Sequence, residues 1–219
     1  MGRELRDRPG SGSATRPRSR RLPTAGSMYM RAKWELWQVL RRYPDPLVFT
    51  RVQWGAARPR SHYTPQQRLR QAVLHHTSWA AAHLIGADVR DEATYVRAIQ
   101  RGHAARDFID VGYHYVVMPS GRIFAGRPLS ALGAHVAGHN TGSVGISLAG
   151  DFDQEEPTPA AIRSIDYVLA RLITGGTELP LVGHRDLAPM TTCPGAALHP
   201  YVERSRRTLA AASPLALDA

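Results

Sequence analysis

Two rhythms of apolar positions alternate along this chain from about residue 48 onward: short continuous runs, and longer stretches with apolar residues three and four apart. Residues 71–75, 143–149 and 179–184 have the unbroken apolar texture of buried strands. Residues 91–103 read as a helix with Tyr95, Val96 and Ile99 on one side. Residues 159–174 read as an amphipathic helix closed by Gly175-Gly176, and 201–211 as a last helix. The stretch YHYVVMPSGRIFAGR has two β-rich runs meeting at Pro119-Ser120-Gly121, which predicts a hairpin. Strands interleaved with helices in this way predict an α/β domain, a central sheet covered by helices, over residues 48–212. No internal repeat interrupts it.

Ahead of that domain the pattern fades. Residues 1–29 are rich in Arg, Gly, Ser and Pro and are expected to form a disordered basic tail, since they offer too little apolar surface to offset the entropy of ordering. Residues 30–42, MRAKWELWQVLRR, predict an amphipathic helix that Pro44 and Pro46 end, so 30–47 is read as helix and linker and 213–219 as a short tail.

Charge sharpens this division. The net charge is +10, and residues 1–60 hold 14 Lys+Arg against 4 Asp+Glu, whereas the remainder is balanced at 14 against 14. The basic excess of residues 1–42 suits contact with an anionic envelope polymer or a membrane surface. No base-reading motif accompanies it, so specific recognition of nucleic acid is not expected. No run approaches the roughly 18 apolar residues that span a bilayer. Arg20-Arg21 is followed by Leu22-Pro23-Thr24-Ala25-Gly26-Ser27 in place of an apolar signal core, so no export signal is readable. The expectation is synthesis in the cytoplasm and delivery by other means, as a monomer.

Cys193 is the only cysteine, which excludes an internal disulfide and leaves the thiol to be explained. His184 lies nine residues upstream at the end of a predicted strand, and His75 or His76 ends another. Three N/S donors leave one tetrahedral position open, the pattern of a catalytic zinc site. The same residues fit a Cys193 nucleophile with His184 as base, or an inert buried thiol beside a packed histidine. Spacing alone leaves all three open.

Six blocks, in order, resemble the peptidoglycan recognition protein and type 2 N-acetylmuramoyl-L-alanine amidase family: RVQWGA (51–56), VLHHT (73–77), DVGYHYVV (110–117), SGRIFAGR (120–127), GAHVAGHNTGSVGISLAG (133–150) and GHRDLAPMTTCPG (183–195). The resemblance implies a mixed sheet covered by helices and one Zn2+ held by His75, His184 and Cys193. It further implies Tyr113 beside the metal, and Thr191, two before the last ligand, as a second catalytic residue that Thr192 rivals for the place. Strand alternation sends His75 and His76 to opposite faces, so one of the two reaches the metal. The implied reaction is hydrolysis of the amide between N-acetylmuramic acid and L-alanine in peptidoglycan, in the manner of a phage or prophage lysin. A non-catalytic peptidoglycan-binding module is the alternative. Thr77, His135 and Asn140 are the implied substrate contacts. Some relatives carry a glutamate base on the strand where this chain has Ser147, so that mechanism is not expected here.

Overall fold

The computed structural model describes residues 45–66, 68–173 and 179–212. The expected tails, the helix at 30–42 and the Gly175-Gly176 stop lie outside the described residues.

Six strands form one mixed sheet: β1 (Val48–Phe49), β2 (Gln71–His76), β3 (Tyr115–Val117), β4 (Ile123–Ala125), β5 (Ser143–Leu148) and β6 (Leu181–Gly183). Their order is β1-β4-β3-β5-β2-β6, and every pairing is parallel except the β3–β4 hairpin. Four helices accompany the sheet among the described residues: α1 (Val89–Ala104), α2 (Pro159–Ile173), α3 (His184–Leu187) and α4 (His199–Ala212).

Alternation along the strands sorts the core into two layers. Ala72, Leu74, Val144, Ile146 and Leu148 join Ile165, Val168, Leu198 and Val202 beneath α2 and α4. On the other face Val116 and Phe124 pack with Val96 and Ile99 of α1 and with Trp54, whose Nε1 donates to Ala125 O at 2.8 Å. That second face is thinner, because β5 presents Ser143, Gly145 and Ser147 to it where the first face receives Val144, Ile146 and Leu148. The small residues make room for polar side chains from the surrounding loops, His135 among them.

Helix boundaries follow from local capping. α1 starts two residues earlier than its apolar pattern predicts, because the Asp88 carboxylate accepts from Arg90 N (2.7 Å) and Asp91 N (3.0 Å), satisfying donors that a helix start leaves unpaired. A larger correction falls at His184. The sequence reads it as the end of a strand, but β6 stops at Gly183 and His184 opens α3. The Asp186 carboxylate accepts from Gly183 N at 2.6 Å and is itself bound by His199 and Arg206 of α4, which turns the chain at this point. β1 and the turn that carries the buried Trp54 show no strong periodicity in the sequence.

Candidate metal centre

His75 stands near the end of β2, in register with Ser147 of β5, and is 1% exposed. His184 comes from the first residue of α3, and Cys193 from the loop that follows. Arg185 N donates to Cys193 O at 2.8 Å and the Arg185 guanidinium holds Thr192 O, folding that loop back on α3. The outcome is that one donor atom each of His75, His184 and Cys193 lies within 4.8 Å of the others, and the His75 and His184 rings are 4.7 Å apart.

Their chemistry fits zinc. The Cys193 Sγ to His75 Nδ1 distance is 3.6 Å. Bonds of about 2.3 Å to sulfur and 2.0–2.1 Å to nitrogen at a tetrahedral angle would hold such donors roughly 3.5–3.6 Å apart. His76 N donates to Cys193 Sγ at 3.4 Å, a bond that favours a thiolate. Without a cation the same burial disfavours charge: it holds His75 well below the ordinary imidazole value, lowers His184, and pushes the Cys193 thiol up to about 12. A thiol so placed is protonated at neutral pH and is a poor free nucleophile, which counts against the cysteine–histidine pair. A metal ion reverses this by taking the proton's place.

Tyr113 lies beside the cluster, its ring 5.3 Å from that of His75. The loop bearing it is pinned just ahead of it. Asp110 accepts from Val111 N (2.7 Å), Gln100 (2.6 Å) and Arg51 (2.9 Å), and Gly112 N donates to His103 Nδ1 at 2.8 Å. Burial, then the neighbouring Cys193, raise the Tyr113 phenol to about 12, so it keeps its proton. Ser147 Oγ is fully buried, in register with His75; its polar neighbour is the Tyr113 hydroxyl, and it makes no hydrogen bond of full geometry among the described residues. Such an atom suits a site that receives a polar guest.

The two threonines separate. Thr191 Oγ1 accepts from Cys193 N at 3.2 Å, next to the cluster, whereas the Thr192 hydroxyl donates to the Asp153 carboxylate and is turned away.

The three expected substrate contacts are engaged within the protein. Thr77 Oγ1 accepts from Gly150 N (3.1 Å) and pairs with Tyr95 OH (2.6 Å). Asn140 Oδ1 accepts from His135 N (2.8 Å) and Val136 N (2.9 Å), closing its own loop. His135 meets His75 Nε2 through Nδ1 (3.0 Å) and Ser143 Oγ through Nε2 (3.2 Å). These side chains hold the scaffold with the atoms that a substrate would use.

His76 faces the other way. Its Nδ1 accepts from Phe152 N at 3.2 Å and its Nε2 meets Ser78 Oγ at 2.9 Å. Asp151 and Asp153 lie close enough to form a second group of possible metal donors. Both His76 nitrogens are already partnered, however, and Asp153 accepts from Thr192 and Ala196.

Residues 65–196 match the family model described as N-acetylmuramoyl-L-alanine amidase. The chain is 31% identical over 148 residues to the endolysin of Klebsiella phage KP32, covering 65% of this chain and 91% of the phage protein. It is 34% identical over 159 residues to the N-acetylmuramoyl-L-alanine amidase of Mus musculus, covering 70% of this chain but only 29% of that longer protein. Among solved structures, a point mutant of Drosophila PGRP-LB in complex with tracheal cytotoxin superposes with a TM-score of 0.65 at 28% identity, covering 71% of this chain and 92% of that one.

Proposed function

For a chain that belongs to the N-acetylmuramoyl-L-alanine amidase family, we propose a zinc-dependent hydrolase that cuts the amide between N-acetylmuramic acid and L-alanine in peptidoglycan. The observation that carries this reading is the convergence of His75, His184 and Cys193, three donors of the types zinc prefers, in the number that a catalytic zinc site uses. Zinc bound there would polarise the scissile carbonyl and make water a competent nucleophile near neutral pH. Tyr113, protonated at neutral pH, donates a hydrogen bond to the carbonyl oxygen as negative charge gathers on it. Thr191 accepts from Cys193 N, which leaves its hydroxyl proton free to orient the same group. Ser147 Oγ supplies a further buried hydroxyl beside Tyr113.

Similarity to a phage endolysin supports action on the wall after release or delivery from the cytoplasm. The basic residues of 1–42 are proposed to hold the enzyme against anionic envelope polymer; their contribution should fade as salt rises. The test of the main reading is joint. The purified chain should contain one zinc per molecule and release free L-alanine amino termini from isolated cell wall, and Cys193→Ala should abolish both. Undiminished hydrolysis by Cys193→Ala would overturn it. The second reading, binding without cutting, is favoured by the likeness to a structure holding tracheal cytotoxin. Tight muropeptide binding by a zinc-loaded chain that releases no amino termini would establish it instead.

A further inference from the structure

A metal-binding imidazole must offer a lone pair on the nitrogen that faces the metal, and the partner of its other nitrogen decides which tautomer it adopts. For His75 that partner is another histidine, whose own proton has to be located first.

The order of protons can be read from Ser143 inward. Ser143 Oγ lies 2.9 Å from Asn140 O. Two oxygens at that distance need a proton between them, a carbonyl supplies none, and so the hydroxyl donates to Asn140 O. Having one proton, Ser143 Oγ then accepts from His135 Nε2 at 3.2 Å. His135 Nδ1 is therefore a bare acceptor, and the 3.0 Å contact to His75 Nε2 places the proton on His75. That leaves His75 Nδ1 as a lone pair, facing Cys193 Sγ at 3.6 Å. The reverse order would put oxygen against oxygen at Ser143 and a proton on the donor atom of His75.

The position is built for a ring. Gly133 and Gly145 flank it, and a methyl group on either would lie 2.5 Å from His135 Cδ2. Asn140 fixes the backbone on both sides of it, accepting from His135 N and Val136 N through its side chain and from Ser143 N through its main chain.

We propose that His135 is a positioning residue for the metal centre: through the relay Asn140 O, Ser143 Oγ, His135, it holds His75 with its proton on Nε2 and its Nδ1 lone pair toward Cys193 and His184. This rests on the metal reading given above. It assigns His135 and Asn140 to the assembly of the centre, not to the capture of substrate.

The test is metal affinity, measured by chelator competition with zinc and cobalt on the full chain, together with ring spectra of 15N-histidine-labelled protein. The parent should show a His75 proton on Nε2. His135→Phe should weaken zinc binding by roughly 10–100-fold, and Ser143→Ala by less. His135→Asn, whose amide oxygen reaches the place of Nδ1, should recover most of the loss. A His75 proton on Nδ1 in the parent would overturn the proposal, as would a folded His135→Phe that binds zinc within about twofold of the parent. Should His135→Phe fail to fold, the parent spectrum and Ser143→Ala decide alone. Failure of the parent itself to bind zinc would strike the metal reading; unchanged affinity in the variants strikes only this inference.

Discussion

His75 and His76 are neighbours on one strand, both buried and of the same chemistry, yet they meet opposite surroundings. On the His75 side, β5 offers Ser143, Gly145 and Ser147, so the imidazole meets His135, Tyr113, His184 and Cys193 across a space left by small residues. On the His76 side the same strand offers Val144, Ile146 and Leu148, and the imidazole is fixed by Phe152 N and Ser78 against an apolar layer. What separates a candidate donor from a structural histidine is the residue across the sheet: small residues admit other polar side chains beside the imidazole, and large ones do not. His76 still serves the centre, through its backbone N–H to Cys193.

The largest effect that would break this comparison is on metal retention. His75→Ala is expected to lose zinc and more than about 10³-fold of hydrolysis, whereas His76→Ala keeps zinc but loses about 2–4 kcal/mol of stability from a cavity and an unpaired Phe152 N–H. Metal analysis beside urea unfolding reads both, and equal zinc loss in the two would erase the distinction. Next, Tyr113→Phe should retain zinc while kcat falls by about 10²-fold, as the loss of one donor to developing charge predicts; chelation-controlled assays on cell wall check it.

Acid offers a third test, on the metal-free chain. His103 and His114 are buried and held at about 4, led in both by desolvation, and His135 at about 3. Each lies below its unfolded value near 6.5, so the unfolded chain binds more protons as pH falls. Their contribution to stability is complete above about pH 6.5 and is lost progressively toward pH 4, about 2 kcal/mol for each of His103 and His114 by pH 5. Urea unfolding between pH 7.5 and 4.5 should show this decline; a flat profile would contradict it. Smallest of all, Thr192→Ala should cost about 1 kcal/mol of stability by removing one of the two hydrogen bonds to Asp153, with the rate unchanged. Thr191→Val should instead slow turnover with stability nearly intact, a split that thermal melts and kinetics resolve.

Much of this was legible beforehand. The strands at 71–75 and 143–149, the hairpin around Pro119-Ser120-Gly121 and three of the helices announce themselves through periodicity, because burial on a sheet or helix face enforces it. The order of the sheet was not, since parallel pairing joins segments far apart in sequence. The ligand set came from resemblance, not from spacing: His75 and Cys193 are brought together by β2, β5 and β6 side by side, which no local count can see. One signal was overlooked. In Ser143-Val144-Gly145-Ile146-Ser147-Leu148 every second residue is small, which marks one face as hollow, yet the run reads at first as a uniformly buried strand. The expected substrate roles of Thr77, His135 and Asn140 met a competing demand, because loops around a hollow face need their own polar side chains to hold shape.

β6 is an edge strand, joined to the sheet by three residue pairs, and the chain that leaves it carries both His184 and Cys193. Across the seam, β2 carries His75. A metal gripping all three would act as a rivet across a three-pair join at the sheet's edge, lending tensile strength to the last strand that the chain adds. Occupancy of the centre would then govern how long the segment from β6 onward stays clamped, and the residues that would hold the metal would also guard the fold against peeling.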